Sequence, residues 1–186
     1  MVPEEISGQG LLFDLHETNA CTCPLLLTGQ GHLNTLGIME TKRLSRHQYY
    51  LNIAAEVATR ATCDRKHVGA VLVDGQNRII STGYNGSPKG QPHCDDVGHQ
   101  LVEIDGRDSC VRTLHAESNA IDRAPWEGMQ GATLYVTVTP CYDCAKRIVS
   151  AGITAVYYSE HYTSRNTNLV AQLFESADVL LTHLEL

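Results

Sequence analysis

Apolar residues at Tyr49, Tyr50, Ile53, Ala54, Val57 and Ala58 recur at helical spacing and predict an amphipathic helix over about 45–61. The period then changes. Residues 68–73 form an unbroken apolar run, Asp74-Gly75 carries turn chemistry, and 78–84 reads as a second strand. A β-hairpin is expected there, with a connection that need not be limited to two residues. Over 85–113 the pattern lapses into Gly, Pro, Asp, His and Cys. A structureless run of that length is uncommon inside a compact domain and is usually functional. Periodicity returns with a helix over 115–123, a strand over 132–139, a helix over 141–151, a strand over 153–159, a helix over 166–176 and a strand over 179–181. Strands alternating with helices predict an α/β fold whose second half is a largely parallel sheet covered on both faces.

Residues 1–44 show no sustained period. Ser7-Gly8-Gln9-Gly10 and Thr28-Gly29-Gln30-Gly31 interrupt them, and Cys21-Thr22-Cys23 has no second pair nearby. They are expected to form a poorly ordered extension, with Met39 a natural start for the functional unit and 45–186 the single domain. No stretch approaches the roughly 18 to 20 apolar residues of a membrane span. The first residues, Met1-Val2-Pro3-Glu4-Glu5, are acidic where a secretory signal is basic, so a cytoplasmic protein is expected. A net charge of -7 repels polynucleotides. A small anion held by a local arginine cluster is still compatible with it, which favours a free nucleotide as partner.

The chemistry sits in two short segments, His115-Ala116-Glu117 and Pro140-Cys141-Tyr142-Asp143-Cys144. Seven cysteines, an odd number, point to metal binding more than to a disulfide framework. Cys141 and Cys144, three apart at a helix start, share one side of it, and Pro140 suits the position before it. Free N–H groups at the helix end favour thiolate, the form that binds metal. With His115 they make three ligands and leave one tetrahedral position open, the mark of a catalytic zinc. Water there falls in pKa from about 15.7 to near 7. Glu117 faces elsewhere and can carry protons from that water to a ring nitrogen and to leaving ammonia. Half of a structural zinc knot or a redox pair also explains Cys141 and Cys144, but neither explains His-x-Glu.

H-x-E followed by P-C-x-x-C matches the signature of zinc nucleobase deaminases. Over about 45–162 the chain resembles the deoxycytidylate (dCMP) deaminase family. The resemblance rests on 63–73, on Thr82-Gly83-Tyr84-Asn85-Gly86-Ser87-Pro88, on 110–121 and on 135–145. It implies a three-layer α/β/α sandwich around a five-stranded mixed sheet, cytidine deaminase-like. It also implies a catalytic zinc on His115, Cys141 and Cys144, with Glu117 as proton shuttle. Asn85 is implied near the sugar and Tyr162 near the substrate. Gly83, Tyr84 and Gly86 belong to a loop implied to bind dCTP as activator and dTTP as inhibitor, in a homo-oligomer, often a hexamer.

Cys63, Cys94, His99 and Cys110 remain, in or beside the polar loop. Several relatives carry a second zinc at matching places, and a closed four-ligand site would offset the ordering entropy of the loop. His93 competes with Cys94 for one ligand position. A buried cysteine and a solvated histidine are the plain alternative. Arg60, Arg65, Lys66, Lys89, Arg107 and Arg112 are candidates for a phosphate contact, with Arg112 the first to test. Trp126 is expected to pack a helix-to-strand connection. The expected function is hydrolysis of dCMP to dUMP and ammonia, feeding thymidylate synthesis. A deaminase of another base (tRNA adenosine or guanine) and a non-catalytic zinc protein of competence type stay open.

Overall fold

The computed structural model describes residues 43–104, 106–162 and 167–185. The expectations for 1–42, including Cys21-Thr22-Cys23 and the start at Met39, lie outside the described residues. Helix α1, Arg46–Ala58, opens on Ser45, whose Oγ accepts the Gln48 N–H at 3.1 Å. Strands β1, Gly69–Val73, and β2, Ile79–Tyr84, form the expected antiparallel hairpin. Their connection is longer than two residues because the Asp74 carboxylate accepts the N–H groups of Gln76 and Arg78, each at 2.9 Å. Asn77 takes the positive φ that this turn requires.

The stretch 85–113 is not structureless, which corrects the sequence reading. It holds a single-turn helix α2, Cys94–Val97, and an antiparallel ribbon of β3, Leu101–Ile104, and β4, Arg107–Cys110. After it come α3, Ala116–Arg123, a short α4, Trp126–Met129, and β5, Thr133–Val138. The chain closes with α5, Tyr142–Ser150, β6, Ala155–Glu160, α6, Thr167–Ser176, and β7, Leu180–His183. Trp126 corrects another expectation: it is 60% exposed, and the connection is packed by Met129 instead.

The main sheet runs β2-β1-β5-β6-β7, antiparallel through β5 and parallel from β5 to β7. It is the mixed five-stranded sheet that was expected. Side chains alternate along β1. Ala70 and Leu72 join the core beneath α3, α5 and α6, while Val71 and Val73 join Tyr50, Leu51 and Ala54 of α1 on the other face. Three layers result. Among the described residues no helix is long and apolar enough to cross a membrane.

Two glycines set how close the helices come. A Cβ on Gly69 would stand 2.0 Å from the Ala54 carbonyl oxygen of α1, and one on Gly83 would stand 2.2 Å from that of Ala116 in α3. Backbone fills both spaces, so no rotamer change could relieve the overlap. Asn119 adds a tie, donating from Nδ2 to the Tyr84 carbonyl at 2.8 Å. Gly83→Ala is therefore expected to destabilise the domain by about 1–3 kcal/mol or more. Urea unfolding measures it, and an unchanged midpoint would contradict the packing assigned to Gly83.

Candidate metal and catalytic site

His115 and Cys141 occupy equivalent positions, each the N-cap of a helix, α3 and α5 respectively. Both have extended backbone and neither side chain caps its own helix. Freed from that task, the two side chains meet at the C-terminal end of β5. Cys144, buried one turn into α5, joins them. Nδ1 of His115 lies 3.4 Å from Sγ of Cys141 and 3.4 Å from Sγ of Cys144. Tetrahedral zinc bonds of about 2.3 Å to sulfur and 2.0–2.1 Å to nitrogen place such atoms about 3.5 Å apart. The donor set fits a zinc ion with three protein ligands.

Within this trio the protons are shared unequally. A hydrogen bond from Cys144 pulls the Cys141 thiol down to about 4, assisted by His115 and opposed by burial. The hydrogen bond to Cys141 lifts His115 to about 9 against the effect of burial. Cys144 moves upward, since it donates to Cys141 and is buried. Glu117, only 3% exposed, is pushed up by burial, while the charge of His115 works the other way. It lines the same cavity as His115 and Cys141.

That cavity measures about 730 Å³. Arg65, Lys66 and Arg107 line it, together with Thr113, Thr139, Asp143 and Tyr162. Lys66 pairs with Glu160 at 2.5 Å. Arg112, the first choice for a phosphate contact, is not among the lining residues; its Nε donates to the Gly98 carbonyl at 3.0 Å. Arg60 and Lys89 also lie away from the lining.

Of the residues implied near the substrate, Tyr162 is 51% exposed at the cavity edge. Asn85 is buried and lines the cavity, but its amide serves the backbone. Oδ1 accepts the Val68 N–H at 2.7 Å and Nδ2 donates to the Lys66 carbonyl at 2.9 Å. Gly83 and Tyr84, expected in a loop, instead end strand β2, and Gly86 follows just beyond it. Arg123 lies over the Tyr84 ring at 6.0 Å, and Gly86 bridges to Leu114.

The second cluster also assembles. Ligand atoms of Cys63, Cys94, His99 and Cys110 all lie within 4.8 Å of one another. Sγ of Cys94 and Cys110 are 3.6 Å apart, and Sγ of Cys63 is 3.7 Å from Nδ1 of His99. Tetrahedral zinc implies about 3.8 Å and 3.5 Å for such pairs. Cys94 takes the place for which His93 competed, and His93 becomes the N-cap of α2. Burial and the neighbouring thiols push Cys94 up to about 12; backbone N–H groups overcome burial and bring Cys110 to about 7. Asp64, which sequence reasoning missed, approaches the outer nitrogen of His99 at 3.1 Å. Its position beside Cys63 was the one available signal.

The family described as the cytidine and deoxycytidylate deaminase zinc-binding region matches residues 44–160. ComE operon protein 2 of Bacillus subtilis is 43% identical over 148 residues, covering 78% of this chain and 74% of that protein. Deoxycytidylate deaminase of Mycobacterium phage D29 is 40% identical over 119 residues, covering 60% and 91%. The crystal structure of dCMP deaminase from cyanophage S-TIM5 in complex with dCMP and dUMP aligns with a TM-score of 0.58 at 28% identity, covering 74% and 95%.

The unequal sharing of protons has a direct chemical readout. In metal-free protein at pH 6, Cys141 stands above its pKa and is thiolate, whereas Cys144 and Cys94 remain thiols. Iodoacetamide is expected to modify Cys141 faster than either, with the advantage fading as pH falls through about 4. Peptide mapping by mass spectrometry checks the order, and equal labelling would refute it.

Proposed function

The chain belongs to the cytidine and deoxycytidylate deaminase family, and on that premise we propose that it hydrolyses dCMP to dUMP and ammonia, supplying dUMP for thymidylate synthesis. The observation carrying this reading is a buried carboxylate, Glu117, beside a three-ligand His/Cys trio in a cavity with cations on its wall. His115, Cys141 and Cys144 would hold the catalytic zinc, and Cys63, Cys94, His99 and Cys110 a second, structural one. A zinc ion held by this trio would supply Lewis acidity.

Glu117 performs the proton transfers. Its carboxylate accepts a proton from the attacking water and delivers it to N3 of the cytosine ring. It then accepts the remaining proton of that water from the hydroxyl added at C4 and delivers it to the amino group, which departs as ammonia and leaves the C4 carbonyl. Burial that raises its affinity for a proton suits a group that must hold one between those steps. Arg65, Lys66 and Arg107 supply positive charge for a monophosphate. Tyr162 closes the cavity edge, and Asn85 fixes the backbone beneath Lys66 and Val68. In the same reading dCTP and dTTP act as effectors of a homo-oligomer, with Gly83 and Tyr84 at the end of β2 and Gly86 beyond them taking part.

The competence-type reading is favoured by one observation, the likeness to ComE operon protein 2. Glu117 weighs against it, because a purely structural zinc has no use for a buried acid.

Glu117→Gln is expected to lower kcat for dCMP by roughly 10²–10⁴-fold with zinc content unchanged. Ammonia release from dCMP, dCTP, cytidine and an adenosine-containing tRNA loop separates the readings. Turnover of the tRNA loop alone would overturn the proposal, as would no turnover of any substrate. Arg107→Ala should raise KM for dCMP and leave KM for deoxycytidine unchanged; an equal rise for both would remove Arg107 from phosphate recognition.

A further inference from the structure

The imidazole of His99 is held from two sides. Its Nδ1 faces Cys63 Sγ at 3.7 Å within the second cluster, and its Nε2 faces Asp64 Oδ1 at 3.1 Å. Neutral imidazole has one N–H and one lone pair, and only the nitrogen with the lone pair can bind a metal. A carboxylate accepts and does not donate, so an Nε2–H directed at Asp64 would leave the lone pair on Nδ1. The His99 side chain is 28% exposed, with its inner nitrogen turned to the cluster and its outer one to Asp64.

We propose that Asp64 is a positioning residue for the metal of the second cluster, orienting His99 by accepting its Nε2–H. The inference rests on the reading of that cluster as a metal site. Its consequence reaches the active cavity through the residues that follow. Arg65 donates from Nη2 to the Asp108 carbonyl of β4 at 2.8 Å, and Lys66 pairs with Glu160 at the end of β6. Successive residues 63–66 thus fasten the cluster, the β3–β4 ribbon and the sheet. Arg107 rides on that ribbon and lines the cavity. Weak metal binding at the second cluster loosens this wall, and substrate affinity falls while the chemistry at Glu117 is untouched.

The test uses the full chain loaded with zinc and a chromophoric chelator as competitor. Wild type is expected to hold two zinc ions. Asp64→Ala should weaken one of them by roughly 10–100-fold. Asp64→Asn, whose amide oxygen still accepts an N–H, should restore part of the loss. KM for dCMP should rise in Asp64→Ala with kcat unchanged. Long-range ¹H–¹⁵N spectra of wild type should show His99 protonated at Nε2 and metal-bound through Nδ1. Asp64 is 78% exposed, so these substitutions open no cavity in the core. A wild-type chain that binds a single zinc overturns the metal reading, and the role of Asp64 with it. Two zinc ions with Asp64→Ala within twofold of wild type, or His99 bound through Nε2, overturn the role of Asp64 alone.

Discussion

Two helix N-termini must meet at one point beyond the end of β5, and the rest of the site follows from that constraint. The first residues of α3 and α5 carry His115 and Cys141 as N-caps, and the helices share a core through Ala116, Ala120 and Ala145. Small side chains let them approach, and Gly83 lets α3 settle directly on β2. The extended backbone of an N-cap aims its side chain off the helix axis, so the two converge without straining either helix. Both helices direct unpaired N–H groups and positive dipole ends at the same spot. That field favours thiolate at Cys141 and a metal-binding trio over three neutral side chains.

Glu117 lies one residue inside α3, where the same field favours its carboxylate. Burial opposes the field and raises the affinity for a proton. Burial prevails, which in the proposed reading suits a residue that holds a proton between two transfers. Charge shows a similar opposition on a larger scale. The chain carries -7 overall, yet three cations line the cavity. The global field disfavours a polyanion, while in the cavity these cations stand among the carboxylates of Asp108, Glu117 and Asp143.

Elements with a buried face were legible in the sequence. Helix α1, the β1–β2 hairpin and, apart from the one-turn α4, the alternation from α3 to β7 were read with their order intact, because burial imposes a period. The residues gathered at both Cys/His clusters were legible for another reason: ligand chemistry narrows the choice to a few residue types. The ribbon was missed. Leu101–Ile104 and Arg107–Cys110 are largely exposed along their length, so no alternation of apolar and polar residues marks them. The available signal was the Asp105-Gly106 pair between two short runs, a hairpin sequence that the surrounding polar residues concealed. Cation roles were not legible, since a guanidinium reaches far and its partner is set by the fold. Arg112 turned to Gly98 while Arg65 and Arg107 turned to the cavity.

The ribbon also shows how a wall of the cavity is built without a hydrophobic core. Val97, Leu101, Val102, Ile104 and Val111 are all exposed, so apolar burial cannot be what holds 94–111 in place. A lone two-stranded hairpin is marginal in water. Polar contacts reach this segment from the thiols and imidazole of the second cluster, from Arg65 on Asp108 and from Arg112 on Gly98. A few directional contacts reach the ribbon both at its open end and beside its turn, while its apolar side chains stand exposed on this chain. Such a wall depends on side-chain chemistry near Cys63 far more than on the packing that sustains the sheet, and the geometry of Arg107 over the cavity inherits that dependence.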